Sequence, residues 1–300
     1  MEHSKRGTCR DGVRLIVLAA SALLIGITPG YAQSDAPVAM VTGYGGFTAT
    51  FEPGAQTFNP VLSPILLAPI GRHVLIEGEF EMESDIPRAD GVWGGHTIDK
   101  GLEYLQADFL AGPVTVVAGR FLTPFGIYNE RLHPAWIKNM MNTPLILGLS
   151  EGSSTGGMVR GGASVGGGVV LNYSAYYSAP YSTENATLNL INSERSAGGR
   201  WSLFFAEQRV EAGFSIKRHL ADERTNDYGG DFTWTLPHTP LDVRAEYANS
   251  AQGDGYWAEG AYRTTHVPFW SGFFRRSQLV PASNSFTCRR TPLRWICRTP

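Results

Sequence analysis

The sequence predicts an all-β fold: an antiparallel up-and-down transmembrane β-barrel with about 13 strands visible. Three observations predict it. Segments of about ten residues alternate between an apolar and a polar face, the period expected of a barrel strand between lipid and lumen. The connections between them alternate between short and mostly longer ones, as in an up-and-down meander. The body of the chain has no cysteine, and no apolar run of about 18 residues follows the N-terminal segment, so neither disulfides nor membrane helices are available. A soluble β-sandwich shares the period of two, but its strands are usually shorter and its polar face is richer in charge.

Residues 1–32 read as an export signal. Lys5, Arg6, Arg10 and Arg14 precede an apolar run from Leu15 to Ile27, and Gly30 and Ala32 are small residues where a signal peptidase reads, so cleavage is expected near Ala32/Gln33. The run is too short to span a membrane as a helix. Next, Val41, Phe47 and Phe51 share a face opposite Tyr44, Thr48 and Thr50. A Pro-rich connection is expected over 52–61, followed by a strand near 62–69. From His73 to Glu83, Val74, Ile76, Phe80 and Met82 oppose Glu77, Glu79, Glu81 and Glu83. After an expected loop over 84–100, Leu105, Ala107 and Phe109 oppose Tyr104, Gln106 and Asp108. Gly112-Pro113 then turns the chain into Val114–Phe121.

Beyond a long loop over 123–154, Thr155–Ser164 is a Gly-rich strand with a turn at 165–168. Later strands repeat the pattern. Leu171, Tyr173 and Tyr177 oppose Asn172 and Ser174; Trp201 and Leu203 oppose Arg200 and Ser202; Ala212, Phe214 and Ile216 oppose Glu211, Ser215 and Lys217. Phe232 and Trp234 oppose Asp231; Val243, Ala245 and Tyr247 oppose Arg244 and Glu246; Tyr256, Ala258 and Tyr262 oppose Glu259 and Arg263. Loops are expected over 179–198, 219–227 and 249–255, and a last strand from about Phe269 to Val280.

Charge narrows the partners. Residues 33–281 hold 17 basic and 25 acidic residues, a formal −8, which argues against nucleic acid. Gly162-Ala163-Ser164-Val165-Gly166 matches the G-x-S-x-G pattern of a nucleophile elbow, but a strand rather than a helix follows, so a tight β-turn is expected. His96, His133 and His219 fall in loops without a catalytic pattern. No metal or nucleotide motif occurs, so no cofactor and no enzyme activity are expected.

The segment Gly119–Ile137 organises the chain: a strand that breaks at Pro124 and Gly126 and runs through Tyr128, Asn129, Glu130, Arg131 and His133 to Pro134. This segment, with Phe58-Asn59-Pro60, Pro64–Leu67 and Leu75–Phe80, resembles bacterial outer-membrane porins of the phosphate-selective porin O and P family. The resemblance covers roughly 40–280 and is most specific at 119–137. It implies an even-numbered barrel of 14–18 strands in a Gram-negative outer membrane, passive diffusion of small hydrophilic solutes or ions, and often a homotrimer. It does not carry over phosphate selectivity, because the polar faces here are mostly Glu, Asp, Ser and Thr. Glu77, Glu79, Glu81, Asp108, Glu211, Lys217, Asp231, Arg244 and Glu246 are the expected pore-lining residues, and acidic walls favour cations. With the N-terminus in the periplasm, 123–154 is the third external loop. By analogy with general porins it folds inward, placing Glu130, Arg131, His133 and Lys138 at the constriction; holding the loop to the wall is the alternative role for these charges.

Residues 282–300 stand apart, with four Arg, two Cys and no acid. The expectation is a shifted frame or truncation after about Val280, leaving 33–281 as the barrel domain without its closing strand; a genuine periplasmic tail is the alternative. Two other functions share the fold, a non-conducting adhesin or structural barrel and an outer-membrane barrel hydrolase.

Overall fold

The computed structural model describes residues 38–134, 137–139, 144–146, 152–182, 192–221, 224–264, 271–274, 277–288, 290–291 and 294–295. The expected export signal and its cleavage point lie outside the described residues.

Thirteen strands form one antiparallel up-and-down sheet. They are β1 (Met40–Glu52), β2 (Ala55–Ile70), β3 (Val74–Ala89), β4 (Thr97–Ala111), β5 (Val114–Leu122), β6 (Ser153–Gly166), β7 (Val169–Ser178), β8 (Ser196–Phe205), β9 (Val210–His219), β10 (Asn226–Thr235), β11 (Leu241–Asn249), β12 (Gly253–Arg263) and β13 (Ala282–Cys288). Each pairs with its neighbour in sequence; two-residue strands at Val92–Trp93 and Gln278–Leu279 add to β3 and β12. Among the described residues β1 and β13 do not pair, so the sheet is open between them.

Four expected connections or strands differ. The loop over 52–61 is a two-residue turn, and β2 runs straight through the Pro-rich piece. Its ladder to β1 is continuous, but its pairing with β3 is interrupted at Asn59-Pro60 and Ser63-Pro64, where proline has no N–H to give. Gly43 opposite Pro64 has φ +149°, and a Cβ there would meet the Ser63 carbonyl oxygen at 2.2 Å. The expected loop over 84–100 shrinks because β3 extends to Ala89 and β4 starts at Thr97; likewise 249–255 shrinks to three residues. The strand expected over 269–280 is instead a helical turn at Ser271–Phe274 and the short Gln278–Leu279 strand. The last long strand comes from Ala282–Cys288, in the segment that composition sets apart: Ser285 pairs with Tyr256 and Phe286 with Gly255.

Gly162–Gly166 belongs to β6, where Ser164 pairs with Val170 across a turn made by Gly166, Gly167 and Gly168, all at positive φ. This is a strand-to-strand hairpin, so the geometry of a nucleophile elbow is not formed there.

The two faces of the sheet are inverted relative to a water-soluble fold. Phe47, Leu66, Phe109, Val159, Trp201, Phe214, Trp234 and Tyr256 are exposed on one face, while Ser63, Glu79, Asp108, Ser174, Arg200, Glu211, Asp231 and Glu246 are buried on the other. The polar face is also concave. His133 touches Glu79 on β3, while the Tyr128 N–H reaches Glu246 on β11. Eight strand spacings separate these strands, roughly 38 Å on a flat sheet. Residues 128–133 reach at most about 17 Å, and the Leu132 N–H bonded back to the Ile127 carbonyl (3.0 Å) shortens that further. The sheet must therefore wrap around this segment.

Candidate pore constriction

The segment after β5 turns into the concavity and is fixed at its neck. The Thr123 N–H donates to the Gly152 carbonyl (3.0 Å), and Asn129 Nδ2 donates to the Thr123 and Gly152 carbonyls (2.8 and 3.0 Å). Thr123 and Ser154 share a hydroxyl hydrogen bond of 2.8 Å. One asparagine thus ties both ends of the loop together at its root.

One flank of the loop is seated on β9–β13. Phe125, Ile127, Tyr128, Leu132 and Ile146 form a buried apolar cluster with Ala248 and Trp257, and Phe286 packs against it. Beneath the cluster, the Glu246 carboxylate accepts from the N–H groups of Ile127 (3.0 Å) and Tyr128 (3.2 Å), and Ser215 Oγ accepts from the Gly126 N–H (3.0 Å). Charged acceptors of backbone N–H groups make strong hydrogen bonds. Gly126 has φ +64°, and a Cβ on it would lie 1.9 Å from Glu246 Oε1, so glycine is required both by its backbone and by the space. Further along, Asn139 donates to Glu259 (2.8 Å) and Arg244 donates to the Ile137 carbonyl (3.1 Å) and to Glu259 (3.3 Å).

The other flank is polar and faces β1–β8 and the start of β9. Glu130 pairs with Arg160 at 3.2 Å, Arg131 with Glu211, and His133 lies 3.3 Å from Glu79. Three cavities lie along this flank. The first, about 400 Å³, is lined by Tyr44, Glu81, Glu83, Glu103, His133 and Lys138 among others, and reaches the root of the loop at Gly152 and Ser153. The second, about 170 Å³, lies between Glu77, Tyr104 and Met158 on the wall and Glu130 and Pro134 on the loop. The third, about 470 Å³, is lined by Arg131, Arg160, Asn172 and Arg200 and extends to Thr115, next to the 112–113 turn.

All four expected constriction residues lie on the inward loop, and the expected lining residues lie on the concave face, but their surroundings differ. Glu246 is 2% exposed beneath the seated flank, facing the loop rather than open space. Glu79 is 1% exposed against His133. Asp108 and Glu77 converge on Arg160, at 2.5 and 3.5 Å. Glu211 and Asp231 converge on Arg200, at 3.1 and 2.6 Å. Glu81 accepts from Tyr44 (3.2 Å) and Ser63 (3.1 Å) and borders the first cavity. Lys138 lies over the Tyr128 ring at 5.2 Å, and Lys217 is half-buried on β9.

Arg160, Arg200 and Glu103 were not among the expected site residues. The two arginines are the centres of the wall's ion-pair groups. Both occupy inward positions of their strands, which strand parity alone marks. Glu103 is different: the register between β3 and β4 shifts at Glu79/Phe80, so Tyr104 pairs with Glu79 and Leu102 with Phe80. This bulge turns Glu103 toward the cavity side along with Tyr104.

No known family matches the chain, and no curated protein matches it. Among solved structures the chain is similar to a mutant of the Rh. blastica porin, at 14% identity and a TM-score of 0.30, over 83% of this chain and 94% of that one.

Proposed function

We propose that the chain is a porin of a Gram-negative outer membrane that passes small hydrophilic solutes or ions by passive diffusion, general in scope or with a weak preference for cations. The observation that carries this reading is the one-sided seating of the inward loop. An apolar seal joins it to β9–β13, and a line of polar cavities is left along β1–β8. A structural barrel needs no such open flank. The exposed apolar convex face suits lipid as its surroundings, and the resemblance of 119–137 to outer-membrane porins adds the homotrimer as the expected assembly. The barrel proper is taken as residues 33–281, and the pairing of Ala282–Cys288 with β12 adds one further strand to its sheet.

Purified protein in a planar bilayer is expected to give stable, stepwise conductance. A folded, heat-modifiable barrel that stays silent overturns the reading and favours an adhesin or structural barrel.

The cation preference rests on where acids outnumber bases along the wall. The wall groups around Arg160 and Arg200 hold basic and acidic residues together, whereas among the described residues lining the first cavity the acids Glu81, Glu83 and Glu103 outnumber the basic Lys138 and His133, with Arg120 near Glu103 as a further cation. Carboxylates at a pore wall favour cations. Replacing these three with Gln is expected to move the reversal potential in a salt gradient toward zero from a cation-selective value. An anion-selective wild-type protein, or an unmoved potential, rules this out.

A further inference from the structure

Resting on the pore reading, we infer that the Glu130–Arg160 ion pair is a bar across the path between loop and wall, and that it sets the size of solute that passes. The second and third cavities have just two lining residues in common, Glu130 and Arg160. The first and second share Leu122 and His133, so the three cavities form a sequence in which this pair is the last partition. Glu130 comes from the loop and Arg160 from β6, and Arg160 Nη1 donates to Glu130 Oε1 at 3.2 Å. The pair therefore bridges the polar gap from one side to the other.

The two ends of the bar are held differently. Arg160 is fixed from the wall by Asp108 (2.5 Å) and Glu77 (3.5 Å), and Glu77 is itself held by Gln106 Nε2 (2.7 Å). A guanidinium held in this way by two wall carboxylates keeps its position when one further partner leaves. Glu130 has Arg160 as its one ion-pair partner among the described residues, so the loop end is the part that yields. Both side chains keep some exposure, which lowers the strength of their attraction to that of a partly solvated pair. A solute can then displace the carboxylate without breaking the wall group.

The test compares the full-length wild type with Glu130→Ala and Glu130→Asp in planar bilayers and in liposome swelling with neutral sugars of increasing size. Glu130→Ala is expected to raise the unitary conductance to a new stable step and to admit a larger sugar. Glu130→Asp keeps the charge but shortens the reach by one methylene, so it is expected to shift both readouts in the same direction and less far, and it serves if the alanine variant fails to assemble. An unchanged step and size limit overturns the inference. So does flicker around the wild-type step without a new stable level, because that is the signature of a loosened loop rather than a removed bar. If wild type and variants fold but all stay silent, the pore reading fails and takes this inference with it.

Discussion

Gly126→Ala is expected to unseat the inward loop while leaving the sheet assembled. Two effects add at this position. An alanine held at φ +64° is strained by roughly 1 kcal/mol. Its Cβ would also fall 1.9 Å from Glu246 Oε1 and 2.1 Å from Cδ, so the carboxylate has to leave its place. Glu246 then gives up the Ile127 and Tyr128 N–H groups, and a buried polar group stripped of its partners costs about 1–3 kcal/mol. Together the seated state should lose about 3 kcal/mol, roughly a hundredfold in its population relative to an unseated one. The measurement is single-channel recording beside heat-modifiable mobility: larger, noisier openings from a barrel that still shifts on heating. Glu246→Gln provides the contrast, because its amide oxygen can still accept from the two N–H groups, and its effect should be smaller. If Gly126→Ala records like wild type, the loop is not held by this contact.

How much of this was legible in the sequence depends on how local each cause is. The inward or outward direction of most strand residues was legible because side chains alternate with a period of two, and the polar and apolar faces follow it from Val41 to Tyr262. The ends of β2 and β3 were not. Pro60 and Pro64 read as loop signals, but proline is accommodated here by gaps in the ladder toward β3 while the pairing with β1 continues. The bulge that re-aims Glu103 depends on how β4 meets β3, which neither strand shows alone. The inward course of the loop was expected from a resemblance, but the reason for it was hidden: Gly126 reads as a loop breaker, and the carboxylate that requires its lack of a side chain lies on β11, 119 residues along the chain from the Ile127 N–H it accepts. Arg160 was hidden differently. In a Gly-rich strand it carries no local signal beyond its parity, and its importance comes from three carboxylates on β3, β4 and the loop.

The same one-sidedness explains why acids on the wall do not act alike. Under the seated flank, Glu246 binds backbone N–H groups; the acids around Arg160 and Arg200 are tied up in ion pairs; near the root of the loop, acids outnumber bases around a cavity among the described residues. Formal charge summed over the body therefore overstates the charge offered to a solute.

Arg200→Ala is expected to be the most destabilising substitution in the wall. Arg200 is 5% exposed. Its Nε and Nη2 donate to Asp231 (2.9 and 2.6 Å), Nη2 also to Glu211 (3.1 Å), and Nη1 to Ser202 Oγ (3.2 Å). These contacts join β8, β9 and β10 across their concave face. The space for them is made by Gly213, where a Cβ would lie 2.5 Å from both Asp231 oxygens and 2.7 Å from Arg200 Nη2. Glu211 would keep Arg131 and the Ser202 hydroxyl (2.6 Å), but Asp231 would lose its ion-pair partner. Removing one member of a buried pair typically costs about 3–5 kcal/mol, because the remaining charge stays buried. Arg200→Lys restores charge without the planar fork and should fall between alanine and wild type. Arg200→Met combined with Asp231→Leu removes both charges and should recover much of the loss, since an apolar replacement of a buried pair is often close to neutral. Urea unfolding from lipid vesicles, followed by tryptophan fluorescence, reads all four proteins on one scale. A loss under about 1 kcal/mol for Arg200→Ala would mean that lumen water solvates Asp231 once its partner is gone, the behaviour of an exposed pair. The double variant separates the two outcomes again: it recovers stability only if the charge left behind was buried.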